Sequence, residues 1–227
     1  MYRQFSHFMS LWARYLLLGA ATCGFAMASA ADPVRFTVTD LAGNPVANAV
    51  VSVAINAQPE SASSPPSMAT VDQQGKRFVP RVSVIRAGQY VQFPNSDDIR
   101  HHVYSFSAAK SFEIRLYRGK PAEPLLFDKP GIVSLGCNIH DRMRGFIYVH
   151  DDQEIVGMTD SAGQVLLNSA AGGAVHVWHE QLQDPSRRLR VEAQPSASSP
   201  TGQLIEIELR PVNPTPSNSF RKRFDGS

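Results

Sequence analysis

The chain has 227 residues, 43% of them apolar and 19% charged, with a formal net charge of +2. That is enough apolar material for a packed core of one or two domains, and too mixed for a wholly disordered chain. Glycine and proline are ordinary in number and no basic stripe runs along the sequence, which excludes a collagen-like chain and gives no electrostatic footprint for nucleic acid.

The first thirty residues read as an export leader. Arg3 and Arg14 accompany an apolar run from about Tyr15 to Met27, and Ala28-Ser29-Ala30 is the small-x-small pattern that signal peptidase cuts. The run is shorter than the ~20 residues a bilayer-spanning helix needs. An uncleaved anchor is the competing reading. A lipoprotein cut at Cys23 lacks its large aliphatic residue, because Ala20-Ala21-Thr22 stands there. Cleavage after Ala30 leaves a periplasmic chain with cationic and acidic side chains in balance and one cysteine, Cys137. A single thiol in an oxidising compartment has no disulfide partner and needs burial or a ligand.

From Val34 the chain alternates as a strand through Phe36 and Val38, turns at Asp40-Leu41-Ala42-Gly43-Asn44-Pro45, and continues as a β-branched run over 49–55. Residues 57–67 are a Ser/Pro-rich connector. A second β-rich block follows, with strand-like runs at 82–84, 90–93, 103–106, 112–116, 132–135 and 146–149. A third holds runs at 165–167, 174–178 and 204–209. The tail from Pro211 is Pro/Asn/Ser-rich, ends in Arg221-Lys222-Arg223, and reads as disordered.

No stretch of the middle block keeps a 3.6-residue period, so the predicted class is all-β, a sandwich rather than a helical bundle. Two strands alone are marginal in water. The economical solution gives residues 31–60 and 152–211 one discontinuous flanking β-sandwich, with 61–151 inserted as a second domain. The alternative packs the first two strands onto the middle block.

The informative segment is Cys137-Asn138-Ile139-His140-Asp141-Arg142-Met143, a loop between two apolar strand runs. Thiolate, imidazole and thioether are the ligands that suit copper, and a blue-copper centre needs one thiolate, two imidazoles and a long axial thioether. The loop lacks the second histidine. His101 and His102, which open a strand upstream, are the candidates. Zinc prefers carboxylate to thioether. A merely packed core thiol would not need His140 and Met143 beside it at loop spacing. Glu113 and Asp141 read as surface or structural groups, His150 as an exposed strand end, His176 and His179 as non-ligands, and Trp178 as core.

At these residues the sequence resembles the plastocyanin/amicyanin branch of the cupredoxins. The likeness is carried by Phe78-Val79-Pro80, Val84, Gly88, Val91-x-Phe93-x-Asn95 and His101-x-Val103, with Cys-x2-His-x2-Met as a short amicyanin-type loop. Phe93-Pro94-Asn95-Ser96-Asp97, Arg100-His101-His102-Val103, Phe127-Asp128-Lys129-Pro130-Gly131 and Leu135-Gly136-Cys137-Asn138 are similar to the methylamine-utilisation, plastocyanin-like group. This likeness spans about residues 68–150 and implies a Greek-key cupredoxin sandwich. More loosely, Asp40-x2-Gly43-x-Pro45 and Thr159-Asp160-x2-Gly163 resemble a carboxypeptidase-regulatory-type sandwich.

The resemblance implies His101, Cys137, His140 and Met143 as ligands of one copper ion. Where the family places a bracing Asn after the first His, this chain has His102, for which Asn138 would be a hydrogen-bond partner. Ile139 stands where a Pro often precedes the loop histidine. The expected function is a periplasmic one-electron carrier rather than an enzyme, with a cytochrome c or a dehydrogenase as partner, and methylamine oxidation is suggested by the group alone. A copper storage or delivery protein is the alternative, against which the few methionines after the leader (Met68, Met143, Met158) argue.

Overall fold

The structure is a computed structural model that describes residues 33–55, 67–121, 123–168, 173–196 and 202–211. The expected leader and tail, and most of the connector, lie outside the described residues. Among the described residues there are eighteen strands and no helix, so the chain is all-β as its short apolar runs predict.

The strands begin with β1 (Val34–Asp40), β2 (Val50–Ala54), β3 (Ala69–Thr70), β4 (Asp72–Gln73), β5 (Phe78–Val79) and β6 (Val82–Arg86). Next come β7 (Gln89–Gln92), β8 (His101–Ser107), β9 (Lys110–Tyr117), β10 (Leu125–Phe127), β11 (Gly131–Gly136) and β12 (Arg144–His150). The last six are β13 (Glu154–Met158), β14 (Gln164–Leu167), β15 (Val175–Trp178), β16 (Leu189–Val191), β17 (Gln194–Pro195) and β18 (Gly202–Ile207).

The first strands pair with the last. Sheet β14-β1-β18-β17 and sheet β13-β2-β15-β16 each combine one strand from the start of the described chain with three from its end. The middle strands form a five-stranded sheet, β6-β12-β11-β8-β9, and a three-stranded sheet, β10-β7-β3. β4 and β5 make a separate two-stranded ribbon.

Strand β12 shows how these layers meet. Its residues Gly145 to Val149 are all buried, which excludes a strand with one wet face. Side chains alternate across a strand. Ile147 and Val149 face the three-stranded sheet with Val91, Val103, Phe127, Val133 and Leu135. Phe146 and Tyr148 face the other way, into the cluster of Phe36, Val51, Val177 and Trp178. The Phe146 and Trp178 rings lie 5.3 Å apart. One half of the five-stranded sheet is therefore covered on both sides. The first strands pair with strands of the third block, and their buried cluster takes in side chains of the middle block.

Polar contacts pin the junction. Arg81 grips Glu180 with two guanidinium nitrogens, the shortest at 2.6 Å. Buried Ser52 and Tyr148 hydroxyls lie 3.2 Å apart, and Arg188 donates to both Tyr148 and Glu154. In the outer sheets Gly163 turns at φ +72°, and a Cβ there would sit 2.5 Å from the Val38 carbonyl oxygen. Glycine is required at that turn for both reasons.

Two places depart from a simple strand pattern. His179 lies past the end of β15, buried, with its Nδ1 accepting from the Gln181 amide, so it does not share a strand with His176. β13 escapes the strand pattern because Glu154 opens it and Gly157 interrupts it, yet it pairs with β2 along its whole length. Trp178 is core, wholly buried.

Candidate metal centre

His101 is the first residue of β8, and Cys137 follows directly on β11, the strand beside it. Gly136 at the end of β11 is the register partner of Tyr104. The antiparallel pairing thus carries the end of β11 to the start of β8. Cys137 then opens a tight loop to β12. The Met143 amide donates to the His140 carbonyl at 2.8 Å, closing its second half. This is why residues 137, 140 and 143 gather at one end of the sandwich.

Three donors converge there. His101 Nδ1 and His140 Nδ1 each lie 3.8 Å from Cys137 Sγ. The ligating atoms of these three residues all lie within 4.8 Å of one another. The two imidazole rings are 5.0 Å apart. Cys137 is a free, buried thiol, and His101 has no exposed surface. Met143 is almost wholly buried in the same apolar cluster as Cys137.

Strand alternation separates the two candidate histidines. His101, Val103 and Ser105 face inward and are buried. His102, Tyr104 and Phe106 face the opposite side, their rings 5.6 Å and 5.2 Å apart in sequence. His102 Nε2 pairs with Glu113 Oε1 at 2.9 Å, on the neighbouring strand, rather than with Asn138. Glu113 is thus the structural group that its sequence suggests. The register of β9 shifts opposite His102, where Arg115 and Leu116 take the place of one residue.

The outer nitrogen of His101 is also held. Its Nε2 donates to Asp97 Oδ2 at 2.7 Å. Asp97 accepts in addition from the Gly75 and Lys76 amides at 2.6 and 2.9 Å. Burial opposes ionisation of Asp97. The hydrogen bonds from Lys76, His101 and Gly75 outweigh it and hold the carboxyl below its ordinary value. A proton on Nε2 leaves the Nδ1 lone pair facing Cys137. The loop carrying Asp97 is braced by Asn95, whose Nδ2 donates to the Ile99 and Tyr117 carbonyls.

For His140, desolvation and the neighbouring His101 and Lys76 push the imidazole below its ordinary value, against the pull of Asp97. The neutral ring, which a metal requires, is favoured. Two imidazoles and one thiolate, with no carboxylate among them, fit copper by donor chemistry, and Met143 supplies a thioether on the same loop. In the sequence Asp97 stood only as the last residue of a motif, with no role assigned. Its signal was a carboxylate four residues before a candidate ligand.

No family model and no curated protein matches the chain. Several solved structures are similar to part of it. A Cu-containing nitrite reductase from Thermus scotoductus SA-01 is 27% identical over 41% of this chain, with a TM-score of 0.35, and the match spans only 25% of that reductase. A purple cupredoxin from Nitrosopumilus maritimus is 19% identical over 36% of this chain and 99% of its own, with a TM-score of 0.33. An amicyanin variant in its reduced state is 18% identical over 44% of this chain and 98% of its own, with a TM-score of 0.33.

Proposed function

We propose that this chain is a periplasmic mononuclear copper protein that carries single electrons. His101, Cys137 and His140 would hold the ion, and Met143 would add a thioether donor. The observation that carries the reading is the convergence of three soft or imidazole donors at a buried strand end, without a carboxylate. When bound, copper supplies a one-electron couple whose potential depends on the axial group and on the surroundings of the sulfur.

The protein's part is to hold that environment fixed. Asp97 orients His101, the turn at His140–Met143 sets the loop, and Cys137 is buried in an apolar cluster. His140 is half-buried and Ile139 beside it is 49% exposed, which gives a partner protein an apolar contact next to the site. Partners of this chemistry are a cytochrome c or a dehydrogenase. A link to amine oxidation rests on the sequence resemblance alone.

Loading the chain with Cu(II) tests the reading. An intense visible thiolate charge-transfer band with narrow copper hyperfine splitting supports it. Copper uptake with neither feature would favour storage or delivery instead.

A further inference from the structure

The ribbon of β4 and β5 ends in a two-residue turn at Gly75 and Lys76. Gln74 and Arg77 close it with a mutual pair of backbone hydrogen bonds, at 3.0 and 3.1 Å. Both central residues take the left-handed conformation, at φ +58° and +59°. Such turns match the twist of a hairpin and favour glycine or asparagine. A lysine at positive φ is uncommon enough to ask what the turn holds.

It holds Asp97. Successive amides of a turn can line a concave site for an anion. The Gly75 amide donates to Asp97 Oδ1 at 2.6 Å and the Lys76 amide to Oδ2 at 2.9 Å. Oδ2 also accepts from His101 Nε2 at 2.7 Å. The ribbon is itself fastened to the loop that carries Asp97. Asp72 accepts from both the amide and the hydroxyl of Ser96, and backbone bonds join Gln73 to Pro94 and Ser96. Three N–H donors aimed at two oxygens suit a carboxylate, which only accepts.

We infer that Asp97, fixed as an anion by the β4–β5 tip, biases a bound copper ion toward its oxidised state and makes the reduced chain a stronger electron donor. The inference rests on the copper reading above. A negative charge stabilises Cu(II) over Cu(I), because the oxidised ion carries one more positive charge. Here the anion sits behind an imidazole with no exposed surface, and its own side chain is 15% exposed. Little water screens the interaction, which is therefore stronger than between surface charges. The hydrogen bond from Nε2 also makes His101 a more basic ligand, which acts in the same direction. No proton moves with the electron, because Nε2 keeps its hydrogen and Asp97 its charge in both states.

Lys76 carries the opposing charge on the same turn. Its ammonium and the Asp97 carboxylate act on the His140 ring with opposite sign. Neutralising each of the two should move the reduction potential in opposite directions, a pattern that loosened packing would not give.

Voltammetry of the copper-loaded chain tests this. Asp97→Asn, close to isosteric, keeps the visible band and shifts the ratio of Cu(II) to Cu(I) affinity roughly tenfold toward Cu(I), a rise of about 59 mV for one electron. Lys76→Gln keeps the band and lowers the potential. An unchanged or lowered potential in Asp97→Asn, with the band intact, overturns the inference and leaves the copper reading standing. If Asp97→Asn takes up no copper, the carboxyl carbon resonance of Asp97 in the metal-free wild-type chain at pH 7 decides. A carboxylate shift supports the fixed anion and a carboxylic-acid shift overturns it. A wild-type chain that shows no thiolate band with Cu(II) overturns the copper reading and this inference together.

Discussion

Asp97 Oδ2 lies 2.7 Å from Nε2 of His101, a histidine with no exposed surface whose other nitrogen faces Cys137 Sγ. Outer partners of this kind fix the tautomer and orientation of a metal-binding ring. Asp97→Ala is expected to weaken copper binding roughly 10–100-fold. Asp97→Asn keeps an acceptor and should lose less. Competition titration against a copper chelator measures both, and unchanged affinity in the alanine variant would remove Asp97 from the site.

Cys137→Ser should abolish the intense visible band while leaving the far-ultraviolet dichroism of the folded chain. Met143→Leu is close to volume-conserving in a buried position and should cost less than ~1.5 kcal/mol of stability. It should keep the band and shift the reduction potential, because the thioether is the weak axial donor of such centres. Voltammetry beside absorption spectroscopy separates the two substitutions. A Met143→Leu potential equal to wild type would exclude Met143 as a ligand.

Trp178 has no exposed surface, and its indole N–H donates to the Pro185 carbonyl at 2.9 Å. Its ring meets both Phe146 and Tyr148 from the five-stranded sheet. Trp178→Ala is expected to cost about 3–5 kcal/mol. Because the cluster spans both sets of sheets, denaturant unfolding followed by far-ultraviolet dichroism and by the copper band should shift together. A loss confined to one probe would show that the outer sandwich melts independently.

Tyr117 is pushed up to about 12, mainly by burial, with Asp72 and Cys137 adding to the shift and the Gln73 hydrogen bond opposing it. Its hydroxyl donates to the Phe93 carbonyl. The unfolded chain ionises this phenol first, near its ordinary value of 10.0. Stability from this group is therefore complete below about pH 10 and is lost as pH rises toward 12. Tyr117→Phe should flatten the alkaline decline in denaturation midpoint over that interval. An unchanged slope would sink the assignment.

Much of the architecture was legible before any coordinates. Alternation at Val34–Val38 and Phe112–Leu116 marks strands because the side-chain period of a strand is two, and the unbroken apolar run Phe146–Val149 marks a strand buried on both faces. The Cys137–Met143 loop announced its donors through spacing. What stayed hidden depends on distant chain. Alternation tells that His101 and His102 point to opposite sides, but only the sheet shows which side is inward. The partnership of His102 with Glu113 needed the β8–β9 register. Asp97 could not be placed without the loop that Asn95 braces.

The parallel pairing of β1 with β18 sets Arg35 beside Gly202 and Asp40 beside Ile207, joining the two ends of the described chain. Contacts this remote in sequence close late and make folding slow. β1 pairs with β14 and β18 and β2 with β13 and β15, so every partner of these two strands lies beyond the middle block in the chain. A chain cut before Gly202 would leave β1 with an open hydrogen-bonding edge beside Phe36 and Val38. Such edges template association between copies. The architecture thus makes the last described strand a safeguard against aggregation.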